Sequence, residues 1–142
     1  MALGLYRTRN CVDYDRTVVP NRPTIEVTVE APISRSRISF EAPIDTGFSG
    51  YLLLSQEQYS RLSESELPSD HFLTYNTVMG RVQLRRSPVA LEVNGKRLSS
   101  FVETPVAGLG KLLVGRRVLA GLRVALLGPE RKSCLLEESS GK

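Results

Sequence analysis

Between Thr24 and Ala31 the chain alternates. Ile25, Val27 and Val29 fall on one side and Thr24, Glu26, Thr28 and Glu30 on the other, the period-two signature of a strand with one buried face. Pro32 to Arg37 has turn chemistry, and Ile38-Ser39-Phe40 leads back as a second strand, so a hairpin delivers the next segment, Ala42-Pro43-Ile44-Asp45-Thr46-Gly47. Asp and Gly are poor strand formers and good turn formers. An apolar lead-in, Asp-Thr-Gly, and then Tyr51-Leu52-Leu53-Leu54 therefore predict strand, tight turn, strand, with a carboxylate held at the turn.

The remaining elements follow the same logic. Ser55-Gln56-Glu57-Gln58 spells a capping box and predicts a short helix to about Leu62. Ser63 to Asp70 is a polar loop. His71 to Tyr75 and Arg81 to Arg85 read as strands around a turn at Asn76 to Gly80, and Val89 to Val93 as a separate strand. Asn94-Gly95 between two alternating runs is the strongest short hairpin signal, with Arg97 to Glu103 as the returning strand. Lys111 to Val114 reads as a buried strand and Arg116 to Ala120 as a short helix with Gly121 at its C′ position. Strands at Leu122 to Leu127 and Ser133 to Leu136 flank a turn at Gly128 to Arg131. Residues 1–22 form an arm, either a strand pair or partly ordered, and residues 137–142 a frayed tail. Short strands at regular spacing with one or two short helices specify an all-β domain spanning 1–142 and leave no helices for a βαβ architecture.

Composition adds limits. The 142 residues contain no Trp and few aromatics, so the core must be aliphatic. The net charge of +4 is dispersed, without a stacking set of aromatics, which argues against nucleic acid as a partner. Arg7, Arg9, Arg16, Arg22, Arg35 and Arg37 enrich the first third in positive charge and read as a solvated surface. Cys11 and Cys134 are too few and too far apart for a disulfide framework or a zinc site, so free thiols in a reducing cytoplasm are expected. His71 is the only histidine, and no nucleophile-elbow or phosphate-binding glycine motif accompanies it. No metal, cofactor or membrane span is expected.

The run Ile44-Asp45-Thr46-Gly47-Phe48-Ser49-Gly50-Tyr51-Leu52-Leu53-Leu54, followed later by Leu112-Leu113-Val114-Gly115-Arg116, resembles the two signature segments of retropepsin-like aspartic proteases, in particular the small single-domain bacterial and archaeal type. Asp-Thr-Gly alone is short enough to arise by chance. The order of both segments, with a hairpin between them, carries the resemblance, which covers Pro23 to Leu136. It implies an acid-protease fold, a partly closed barrel. It also implies an aspartic endopeptidase acting on peptide or protein substrates as a homodimer.

Carried over by position, Asp45 resembles the catalytic acid and Thr46 the residue whose hydroxyl reaches the partner chain. Gly47 resembles the residue that leaves room for substrate backbone. Leu113, Val114, Gly115 and Arg116 resemble the segment behind the active-site loop, with Arg116 making ionic contacts near the interface. Val78, Met79 and Gly80 would form the tip of a flap, or else of an ordinary surface hairpin. Three positions depart from the family. Phe48 is large where Ala or Ser is common, and would either restrict substrate or fill the core. Arg117 stands where Asp or Asn is frequent, and the flap segment has only Gly80. The alternative to an enzyme is a retropepsin-fold dimerisation or protein-binding module that cleaves little or nothing.

Overall fold

The computed structural model describes residues 5–78 and 80–138. Among the described residues ten strands and two α-helices follow one another: β1 (Tyr6–Asp13), β2 (Thr24–Glu30), β3 (Arg37–Pro43), β4 (Leu52–Leu53), α1 (Gln56–Ser60), β5 (Leu73–Thr77), β6 (Gly80–Val93), β7 (Lys96–Pro105), β8 (Leu113–Val114), α2 (Arg116–Leu119), β9 (Val124–Leu127) and β10 (Lys132–Glu138). A 3-10 turn at Ser69–His71 precedes β5. The strands form two sheets. The larger has the order β3-β2-β6-β7-β4-β8, with β5 also paired to β6, and the smaller is β1-β10-β9. Neither sheet is a closed barrel, but a bridge from Ile44, just after β3, to Val114 of β8 brings the two edge strands of the larger sheet together, in keeping with the expected partly closed form.

The alternation in β2 does what its spacing demands. Ile25, Val27 and Val29 are buried and join Leu52, Leu54, Tyr59, Leu62, Leu91, Val93, Val102, Val114 and Val118 in the core. Full burial of each such aliphatic side chain contributes about 1.5–3 kcal/mol. Thr24 departs from the pattern: it is buried, and its hydroxyl donates to Glu41 Oε1 at 3.0 Å. The Ser55 capping box forms as its sequence specifies, with both reciprocal hydrogen bonds present.

Strand boundaries moved where pairing outweighed local turn signals. Residues 81–85 and 89–93 belong to one strand, β6, which pairs with β7 from Leu84 to Val93 and runs through Pro88. On its other edge β6 pairs with β5 up to Leu84 and with β2 from Ala90. Pro88 lies in the gap between those two ladders, where a missing N–H is tolerated. The Asn94-Gly95 turn has positive φ at both residues, +51° and +77°, as a type I′ hairpin requires. Gly121 follows the last turn of α2 but is not left-handed; a Cβ there would instead press on Leu98 at 3.3 Å.

The terminal segments are the largest correction. Tyr6–Asp13 is a strand paired along β10, and β10 continues to Glu138. Glu137, expected to be frayed, faces Arg7 in the ladder and forms ion pairs with Arg7 and Arg9. Residues 1–4 and 139–142 lie outside the described residues. A register shift between Arg9 and Val12 brings Cys11 beside Cys134, and the two are joined in a disulfide, not free as their distance in sequence suggested. Among the described residues no helix is long and apolar enough to cross a membrane.

Candidate active site around Asp45

Backbone contacts hold Asp45 from three directions. Ile44 N–H donates to Pro23 O at 2.9 Å, tying the end of β3 to the start of β2, and Asp45 N–H donates to Val114 O at 2.9 Å. Phe48 N–H closes the turn on Asp45 O at 3.2 Å. The carboxylate accepts Gly47 N–H on Oδ1 at 2.8 Å, an Asx contact that fixes its direction. Oδ2 has no hydrogen-bond partner among the described residues. Asp45 is half-buried, while Thr46 and Gly47 are exposed.

The Leu113–Arg116 segment lies directly behind this loop. Leu113, Val114 and Gly115 are buried. Gly115 N–H donates to Tyr51 O at 2.7 Å, Arg116 N–H to Phe48 O at 2.8 Å and Arg117 N–H to Gly50 O at 3.0 Å. Gly115 must lack a side chain, because a Cβ would sit 2.3 Å from Gly50 O and 2.6 Å from Phe48 Cδ2. Gly115→Ala should therefore destabilise the protein by about 1–3 kcal/mol through overpacking. A urea midpoint unchanged from wild type would contradict this. The Arg116 side chain is exposed and forms no ion pair among the described residues. Arg117 lies 5.7 Å over the Tyr51 ring.

Phe48 turns inward. Its ring packs on Tyr75 at 5.5 Å and over Gly50, where a Cβ would meet Phe48 Cζ at 2.3 Å. Of the two roles open to this side chain, filling space behind the loop is the one the packing matches. The hairpin of β5 and β6 ends at Thr77 and Gly80, whose residues pair directly. Val78 is fully exposed at its tip, and Gly80 has φ +111°. Met79 lies outside the described residues.

One group behind the loop had no counterpart in the sequence reading. Glu103, in β7, is completely buried. Its Oε1 accepts Tyr51 N–H at 2.7 Å, and its Oε2 accepts the Tyr75 hydroxyl at 2.9 Å. Burial pushes this carboxyl above the ordinary glutamate range, against the pull of those hydrogen bonds and of Arg86 and Arg117. Desolvation first, then Glu103, pushes the Tyr75 phenol up as well. In sequence, Glu103 looked like the polar end of an alternating strand. Nothing local marks it, because β7 is covered on both faces only from Val102 onward.

Asp13, Asp15 and Asp70 do not share the setting of Asp45. Asp15 accepts from Thr17 and Arg22, and these bonds hold it down to about 2. Asp13 pairs with Lys132 at 3.0 Å. Asp70 and His71 are exposed in the 3-10 turn. Two concavities of about 370 Å³ each are lined by other residues.

No protein-family model matches the chain, and no curated protein sequence matches it. Its fold is similar to that of the EIAV protease complexed with the inhibitor HBY-793. The TM-score is 0.50 at 19% identity, and the match covers 72% of this chain and 89% of that one. The chain thus has a retropepsin-like all-β fold.

Proposed function

We propose that this chain is one subunit of a homodimeric aspartic endopeptidase whose two Asp45 carboxyls face each other across a two-fold axis. The observation that carries the reading is the Asp45 turn. Its backbone is fixed by Pro23, Val114 and its own loop, one carboxylate oxygen is held by Gly47, and the other has no hydrogen-bond partner among the described residues. Each chain supplies one such turn, and a closed two-fold interface makes two of them meet. The exposed Thr46 is free to reach the partner subunit.

Two like charges at contact distance cannot both ionise, so the pair shares one proton. The ionised Asp45 removes a proton from water as the oxygen attacks the scissile carbonyl, and the protonated Asp45 gives its proton to the carbonyl oxygen. Collapse of the tetrahedral intermediate returns that proton and breaks the C–N bond, and the amine leaves carrying the proton taken from water. In this reading the β5–β6 hairpin closes over an extended peptide, and residues 1–142 act as one protease domain.

A cytoplasmic site, the sequence expectation, sits poorly with a structural disulfide, which favours an oxidising compartment. The test of the main reading is a dilution series against an unfolded protein substrate at mildly acidic pH. Cleavage should rise with the square of chain concentration while monomers predominate, then become linear, with the break at the dimer dissociation seen by sedimentation. Cleavage linear at every dilution by a strict monomer would overturn the shared-site reading. A stable dimer that cleaves nothing would leave the fold serving as a binding module.

A further inference from the structure

The exit of the Asp45 loop and the β5–β6 hairpin meet at one buried acid. Glu103 pairs through its backbone with Leu53 of β4 on one side and with Arg86 of β6 on the other. Its side chain reaches Tyr51 N–H, at the exit of the Asp45 loop, and the Tyr75 hydroxyl, on β5. Gly50 makes the approach possible, since a Cβ there would lie 2.6 Å from Glu103 Oε1. Phe48, from the loop itself, packs on the Tyr75 ring beside this bond.

We propose that Glu103 is a positioning residue whose buried carboxyl docks the β5–β6 hairpin onto the Asp45 loop, through Tyr75 on one oxygen and Tyr51 on the other. An apolar side chain would fill the space but leave a buried N–H and a buried hydroxyl unpaired, at a cost a core position does not otherwise bear. The relevance to catalysis rests on the protease reading; the docking itself does not.

The charge on Glu103 has no ion-pair partner among the described residues. Arg86 from β6 and Arg117 from α2 act on it through space, Tyr75 from β5 bonds it, and Tyr59 from α1 feels its charge. The Arg86 guanidinium is stacked 3.7 Å over Phe101 instead, with its Nε buried and without a hydrogen-bond partner among the described residues. A carboxylate buried without a direct cation is costly. Lifting Tyr75 away would let water reach it. The docked hairpin therefore binds the Glu103 proton more tightly than the lifted one, so acid favours docking and rising pH favours release. The Tyr75 hydroxyl can accept from the protonated acid as readily as it donates to the ionised one, so the contact survives protonation.

Amide hydrogen exchange across Leu73–Leu84, corrected for intrinsic rates, tests this without requiring activity. In wild type, protection of the hairpin should fall about tenfold between about pH 5 and about pH 8. Tyr75→Phe, which loses only a hydroxyl, should lower hairpin protection about tenfold in acid while leaving the β2–β3 ladder unchanged. Glu103→Gln, which keeps the shape and both contacts, should keep the protection and lose its pH dependence. Asp45→Asn should retain that dependence, which assigns the titration to Glu103. Hairpin exchange unaltered by Tyr75→Phe, or pH dependence surviving Glu103→Gln, would overturn the proposal. Should Glu103→Gln fail to fold, the Tyr75→Phe comparison still decides it. If these shifts appear in a protein that cleaves nothing, the protease reading fails and the docking role stands.

Discussion

Asp45→Asn should reduce peptide hydrolysis by about 10⁴-fold, the upper end of what positioned acid and base groups contribute, because a homodimer loses both members of the pair at once. An amide can accept Gly47 N–H on its oxygen as the carboxylate does at 2.8 Å, so the turn and the fold should survive. Near-identical urea midpoints for variant and wild type would confirm that chemistry alone was removed. Subunit mixing sharpens the result. In about a ninefold excess of Asp45→Asn chains, random pairing leaves roughly one wild-type subunit in ten with a wild-type partner, so activity per wild-type chain should fall about tenfold. Activity that simply adds, in proportion to wild-type chains, would show that each chain works alone.

How far the sequence disclosed this arrangement depends on the kind of interaction involved. Alternation at Ile25, Val27 and Val29, the Ser55 capping box and the Asn94-Gly95 turn all act within a few residues, and the structure forms each where the pattern puts it. The Asp45 turn was legible because Asp, Thr and Gly are misplaced between two apolar runs. What was not legible depends on distant pairing. The pattern separates Arg81 to Arg85 from Val89 to Val93, and the gap between the β5 and β2 ladders lets β6 run through Pro88 and join them. Glu103 reads in sequence only as the last residue of the strand that returns from Asn94-Gly95. It is buried because β4 and β6 flank it while Tyr75 and Tyr51 satisfy its oxygens. A buried acid becomes recognisable only when its hydrogen-bond donors are known, and those lie 28 and 52 residues away. The same holds for Phe48, whose inward packing depends on two glycines, Gly50 and Gly115, that clear its path.

Removing the disulfide should have the largest effect on stability of any pair of substitutions. Cys11 and Cys134 are separated by 123 residues, so their bond closes most of the chain into one loop. Chain-entropy arguments assign such long loops about 4.7 kcal/mol, and native disulfides lost from small proteins cost about 2–5 kcal/mol. Against a total stability of about 5–15 kcal/mol, that is a large share. Few other contacts can compensate. The outer strand β1 is almost entirely exposed and is held by the β10 ladder and by surface ion pairs from Arg7, Arg9 and Lys132, each worth about 1 kcal/mol at most. The buried Cys134 should be replaced by Ala, since Ser would bury a hydroxyl where the chain now buries sulfur. Cys11→Ala with Cys134→Ala should then unfold at markedly lower urea, and oxidised wild type should match it once reductant is added. If reductant leaves the wild-type midpoint unmoved and native protein yields two free thiols, the covalent link between the terminal strands is absent in solution. If instead only β1 and β10 exchange faster while the midpoint holds, the bond secures the edge of the smaller sheet and not the whole fold.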